Sequence, residues 1–278
     1  MIKPLDGIRI TSTAINLPGP IAASRLSEMG ATITKVEPPD GDPMSMYVPA
    51  WYKVLTQGQR LRTLNLKEQN DRAELDELLA ESDVFLTSHR PRGLARLGLS
   101  WDEVHAKYPR LCYVAIVGYP PPHQDLAGHD LTYQAHIGLL QPPHMPRALI
   151  ADLAGAERAV SAALTLLYAR ERTGEAGYQE IALSDAAESM AQPLRYGLTR
   201  PGGGLGGGLP SYRIYAAKVG YVALAALEPH FWVMLETALE RGPLDEASLT
   251  TIFLEKPAAE WEAWGETLGI PIAAVRED

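Results

Sequence analysis

Apolar and polar positions follow two alternating rhythms along the first half of the chain, one of period two and one of period 3.6. Residues 8–13 read as a short strand. Beyond Pro18-Gly19-Pro20, the spacing of Ala22, Ala23, Leu26 and Met29 predicts a helix that Gly30 stops, and residues 31–37 resume as a strand. The same alternation continues with a strand at 62–66, a helix at 67–80 that puts Leu75, Leu78 and Leu79 on its apolar side, and a strand at 83–87. A short helix at 101–108 then leads into the strand 111–117, whose unbroken apolarity suits a strand covered on both faces. Strand and helix in this order predict a mostly parallel sheet with helices on either side.

Proline and glycine crowd residues 118–128, which read as loop, and a helix is expected to begin at His129 or Asp130. A second irregular stretch, QPPHMPR, precedes Ala148 to Asp152 and a long helix over 153–172. Gly174 and Gly177 mark the following turn, 178–183 reads as a strand, and Ser184 opens another helix. The pattern breaks at 201–208, where six of eight residues are glycine. Such a run is either a flexible linker or a backbone wall against a ligand. Beyond it, 212–216 and 221–226 form a hairpin pattern, and helical patterns occupy 229–240, 245–254 and 258–268. The expected architecture is α/β: a large Rossmann-like domain over residues 1–200, which includes Asp152, and a glycine-rich linker with a small α+β domain over 201–278.

Titratable groups stand at two loop-to-helix junctions, Gly128-His129-Asp130 and Ala151-Asp152. That position places side chains at clefts, and the free amides of a helix N-terminus favour a carboxylate or an anionic ligand. For Asp152 an N-cap and a catalytic carboxylate both fit, and His129 is either structural or functional. Glu228, just before Pro229, is a third candidate, with a capping acid as its plain reading. Arg90, Arg92 and Arg96 cluster in HRPRGLARLGL, suited to phosphates or to a solvated surface. The remaining histidines lack compact ligand spacing, and no metal is expected. Neither NLPGP nor the glycine run matches a dinucleotide or phosphate-loop fingerprint, which disfavours a nicotinamide dehydrogenase or an NTPase.

Composition narrows the class. The chain has 278 residues, enough for a sizeable core, and its 46% hydrophobic and 21% charged content excludes general disorder. A formal net charge of −9 argues against a nucleic-acid partner. A single cysteine, Cys112, cannot form an internal disulfide and points to a reducing, cytoplasmic setting. The N-terminus lacks the apolar segment of a secretion signal, and no stretch approaches a bilayer span, so no membrane association is expected.

Eight fragments then stand in an order that identifies a family: PLDGIRI, LPGP, ATITKVEPPDGDP, DVFLTSHRPRGLARLGLS, PRLCYVAIVGY, AGHDLTYQAHIG, ADLAGA and RERTGEAGYQEIALSDA. Over nearly its full length the chain resembles the type III CoA-transferase and alpha-methylacyl-CoA racemase family, which includes proteins like carnitine dehydratase and bile-acid-inducible protein F. The resemblance implies an enzyme acting on acyl-CoA thioesters, with CoA as part of the substrate and no tightly bound cofactor. In the racemase branch His129, assisted by Asp130, and Asp152 would carry the α-proton on opposite faces of an enolate, with Glu228 in ALEPHFW as a supporting acid. In the transferase branch Asp152 would be the nucleophile. GHD and ALEPHFW look racemase-like, since transferases more often have an aromatic residue where His129 stands. Racemization of a 2-methylacyl-CoA is therefore the first expectation and CoA transfer the alternative, with a CoA-binding paralogue lacking turnover behind both. The resemblance further implies CoA contacts at Arg90, Arg92, Arg96 and Pro20, and an interlocked homodimer.

The chain departs from the family pattern in four places. Pro120 to Asp125 replace a Gly-Gln-Thr-Gly-Pro-like loop, Arg92 stands where the family has glycine, and residues 44–59 lack an expected arginine. Family chains continue past the position of Asp278, so IPIAAVRED is expected to begin a shortened return to the large domain.

Overall fold

Residues 2–276 are described by the structure, a computed structural model. Six strands build the larger sheet: β1 (Arg9–Ser12), β2 (Thr32–Glu37), β3 (Arg60–Thr63), β4 (Val84–Thr87), β5 (Cys112–Val117) and β6 (Tyr178–Ala182). All neighbours pair in parallel, in the order β3-β2-β1-β4-β5-β6. This is the doubly wound order in which the winding reverses between β1 and β4. The fold is thus mixed α/β, with a large parallel sheet and a smaller α+β region.

Alternation across the central strands explains their continuous apolarity. Val84, Leu86, Cys112, Val114 and Ile116 face one core, shared with the helices Pro18–Glu28 and Ile150–Thr173. Phe85, Tyr113 and Ala115 face the opposite core with Leu75 and Leu79 of the helix Gln69–Ala80. Residues alternate sides along a strand, so a central strand covered on both faces must be apolar at every position. Cys112 is one of these core residues and is buried.

Small residues let the longest helix approach its neighbours. A Cβ on Gly155 would lie 2.2 Å from Leu183 Cδ2, so the glycine leaves room for the Leu183 side chain of the helix Leu183–Met190. Ala156, Ala159 and Ala163 continue the same small face, and Gly174, at φ +78°, closes the helix C-terminus.

The chain divides into two compact units, one reaching Ala191 and one beginning at Gln192. The second unit holds an antiparallel sheet in the order β7-β8-β9, from β7 (Tyr212–Ala216), β8 (Tyr221–Ala225) and β9 (Ile272–Ala274). Its helices Pro229–Leu239, Glu246–Phe253 and Ala258–Leu268 surround a core centred on Leu235, Phe253 and Trp261. The segment expected to start a return to the large domain instead pairs with β8 inside this small sheet. Three residues between Gly269 and the end of the pattern carried too little periodicity to reveal a strand.

The glycine run is ordered. Residues Gly204–Gly208 form a tight, irregular turn in which Gly207 takes a φ of 86°. Cβ atoms on Gly203, Gly206 and Gly208 would lie 2.3, 1.8 and 2.2 Å from the carbonyl oxygens of Gly197, Arg200 and Gly202. Backbone packs directly on backbone here, within the second unit, so the segment is neither a loose linker nor free of packing.

Candidate active site

Ligands of doubly wound sheets bind beyond the carboxyl ends of the strands, at the reversal of winding. Here Asn16 and Pro18 follow β1, Ser88 and Arg90 follow β4, and Gly118 follows β5; all line one cleft. The helix bearing His129 and the helix bearing Asp152 close its far side. The cleft therefore joins the two loop-to-helix junctions singled out in the sequence.

Asp152 lies inside the first turn of Ile150–Thr173, whose N-cap position is Leu149. The long helix starts three residues before the expected position, and Asp152 does not cap it. The cap comes from Asp130 in another helix, Asp130–His136. One Asp130 oxygen, Oδ1, accepts hydrogen bonds from the amides of Ala151 at 2.7 Å and Asp152 at 3.1 Å. The other accepts from Gln134 Nε2, which also donates to the carbonyl of Ala148. Asp130 is buried, and these bonds consume the donors that a buried carboxylate requires.

This geometry corrects the expected pairing of Asp130 with His129. The Asp130 carboxylate is committed to the head of the Asp152 helix and does not orient the imidazole. His129 itself is the N-cap residue of its helix, with extended backbone, and its side chain is exposed along the cleft wall. Thr132 closes that turn: its hydroxyl accepts from the His129 amide at 3.1 Å and donates to the His129 carbonyl at 2.8 Å.

The Asp152 carboxylate faces the cleft and accepts no hydrogen bond from the described residues. Burial pushes its pKa up to about 7, and the negative charge of Asp130 adds to the rise. A carboxyl group raised this far and open to a cleft is suited to nucleophilic attack or to proton transfer.

The arginine cluster forms a second hollow, where Arg90, Arg92 and Arg96 stand with His89 and Asp125. Arg90 also lines the Asp152 cleft, so the two are adjacent. The Arg92 amide donates to Asp125 Oδ1 at 3.2 Å, and its guanidinium is exposed. His89 and Leu97 lead on into a third, largely apolar hollow, with Val36, Pro38, Leu64 and Leu66 at the ends of β2 and β3. Pro20, expected to touch CoA, is instead buried in the helix Pro18–Glu28; Pro18, two residues earlier, lines the cleft. Glu228 is exposed at the N-cap position of Pro229–Leu239, in the second unit.

Two features of the cleft went unnoticed in the sequence. Tyr133 lines it from one helical turn beyond His129, a spacing of four that pointed to it. Asn16 sits at its edge with φ at 67°, its amide held by Asp42 Oδ1 at 3.1 Å. Asp42 belongs to a buried cluster in which Lys35 Nζ donates to Glu37 at 2.6 Å and Asp42 at 2.7 Å, and Tyr52 donates to Glu37. KVEPPDGD thus works as an internal brace for the loop after β1.

A doubly wound sheet thus carries a half-buried, cleft-facing carboxylate at a helix head, beside an arginine-lined hollow. The chain belongs to the CoA-transferase family III, whose family description matches residues 5–278. Among curated relatives, the formyl-CoA:oxalate CoA-transferase of Streptomyces avermitilis is 28% identical, over 88% of this chain and 69% of its own length. The succinyl-CoA–D-citramalate CoA-transferase of Chloroflexus aurantiacus is 29% identical over 69% of this chain, and the match spans 52% of the relative. A CAIB/BAIF family protein of Brucella suis superposes with a TM-score of 0.82 at 25% identity, covering 100% of this chain and 85% of that one. A crystal structure from Mycobacterium tuberculosis gives 0.88 at 24% identity, covering 100% and 86%. Among the described residues no group of acids, histidines or cysteines could hold a metal ion, and no helix is long and apolar enough to cross a membrane.

Proposed function

We propose that the chain is a CoA-transferase that moves CoA between carboxylic acids, with Asp152 as the nucleophile. The observation that carries this reading is the half-buried carboxylate at the cleft, raised to about 7 and without hydrogen-bond donors among the described residues, next to the arginine hollow. Asp152 attacks the thioester carbonyl, and the CoA thiolate leaves as a mixed anhydride forms. The thiolate then attacks the aspartyl carbonyl, releasing the first acid and leaving an aspartyl-CoA thioester. An acceptor carboxylate repeats the two steps in reverse order and regenerates the Asp152 carboxylate.

We assign the three hollows to the parts of CoA in sequence. The thioester would occupy the Asp152 cleft, the phosphates Arg90, Arg92 and Arg96, and the adenine the apolar hollow around Val36, Leu64 and Leu97. Shared residues, first Arg90 and then His89 with Leu97, make this one path. Similarity to curated transferases supports transfer over racemization, as does the engagement of Asp130 away from His129.

Racemization is the second reading, because His129 and Asp152 line the same cleft and would supply two proton carriers. Incubation with a 2-methylacyl-CoA in D₂O separates the two. Transfer predicts CoA exchange with an added free acid and no deuterium at the α-carbon. Deuterium incorporation without an acceptor acid would establish the racemase instead.

A further inference from the structure

We infer that Tyr133 is a catalytic hydrogen-bond donor, its hydroxyl binding the carbonyl oxygen of the thioester that Asp152 attacks. The inference rests on the reading of the cleft as an acyl-CoA site and adds a second reacting group to it.

A buried tyrosine hydroxyl ordinarily finds a protein partner, because an unmade hydrogen bond is costly. The other buried tyrosines obey: Tyr113 donates to the Leu99 carbonyl at 2.8 Å and Tyr215 to the Pro210 carbonyl at 2.7 Å. Tyr133 is only 2% exposed, yet its hydroxyl bonds to none of the described residues. It opens instead on the cleft, where its ring forms part of the wall.

Two glycines make room for it. A Cβ on Gly118 would lie 2.5 Å from the Tyr133 oxygen, and one on Gly128 would lie 2.7 Å from it. Both glycines line the cleft, so the backbone has been cleared of side chains where this hydroxyl stands. The rings of Tyr119 and Tyr133 meet edge to face, with centroids 5.1 Å apart, and this contact helps fix the orientation of Tyr133.

The proton stays on the phenol. Burial and the nearby charges of Asp152 and Asp130 push its pKa up to about 12, with Arg90 opposing. The hydroxyl and the Asp152 carboxylate line the same cleft and do not bond to each other, so a carbonyl group bound there would meet both a nucleophile and a donor. As the Asp152 oxygen bonds to the thioester carbon, the π pair moves onto the carbonyl oxygen and the Tyr133 hydrogen bond strengthens. The pair returns as the C–S bond breaks and the thiolate departs, and Tyr133 keeps its proton throughout.

The test uses [1-¹³C]acetyl-CoA bound to the full chain carrying Asp152→Asn, which cannot form the anhydride. Isotope-edited infrared spectra should show the carbonyl stretch lowered on binding, and restored toward its free value when Tyr133→Phe is added. In the Asp152 background, Tyr133→Phe should cut kcat by about a hundredfold, the typical loss of one oxyanion donor, with KM little changed. Should the Phe variant fold poorly, 3,5-difluorotyrosine at position 133 keeps the shape and acidifies the phenol, and an added alkaline limb in the pH–rate profile is expected. An identical carbonyl frequency with and without the hydroxyl, or an unaltered profile with difluorotyrosine, would overturn the inference alone. Failure of the parent chain to bind any acyl-CoA would bring down the reading of the cleft as well.

Discussion

At the scale of single residues the site turns on two aspartates with opposite assignments. Asp130 is paired with amides and caps a helix, while Asp152, in the first turn of that helix, is left without donors among the described residues and has its pKa pushed up to about 7. The carboxylate is the nucleophilic form, so transfer should rise as pH increases through about 7 and level off above it. Asp130→Asn removes a negative neighbour while leaving an acceptor for the cap. The negative charge of Asp130 raises the pKa of Asp152, so its loss should move the midpoint of the pH–rate profile downward. A midpoint that stays fixed would mean that Asp130 is not felt at the reacting carboxylate. The sequence revealed His129 and Asp152 because each follows a loop and opens an apolar helix. It concealed their relation to Asp130, since a cap from more than twenty residues away leaves no local pattern, and a first helical turn shows no periodicity from which to place Asp152 within it.

At the scale of elements the alternating strands and helices of the first unit were readable because packing on both faces imposes apolarity on β4 and β5. The short helices Met44–Tyr47, Pro49–Leu55 and Pro91–Arg96 were not, each being too brief to display a helical repeat. The glycine run was visible as a composition change, but its structure depends on which carbonyls it meets. Gly206→Ala would place a methyl group 1.8 Å from the Arg200 oxygen, a contact that must displace the backbone. A loss of about 2 kcal/mol or more is expected, at the upper range of overpacking changes, and chemical denaturation would measure it. Stability equal to the parent would show that the turn is not held in this form.

At the scale of the whole molecule the proposed substrate path is assembled from residues separated along the chain. Its walls come from the ends of β1, β2, β3, β4 and β5 and from two later helices, so no single segment announced it. Arg96 belongs to the stretch of that path assigned to phosphate, away from the reacting carbonyl. Arg96→Ala should raise the KM for acyl-CoA about tenfold while sparing kcat, with the difference shrinking at high salt as the charges are screened. An unchanged KM would move the phosphates elsewhere. The central claim, that one carboxylate on the head of the Ile150–Thr173 helix carries CoA covalently, has a direct measurement. The chain is mixed with acyl-CoA, reduced with borohydride to fix any aspartyl thioester as the corresponding alcohol, and mapped by peptide mass spectrometry. Modification confined to Asp152 and absent from Asp152→Asn is the expected result; no modification, or the same modification in the variant, would contradict it.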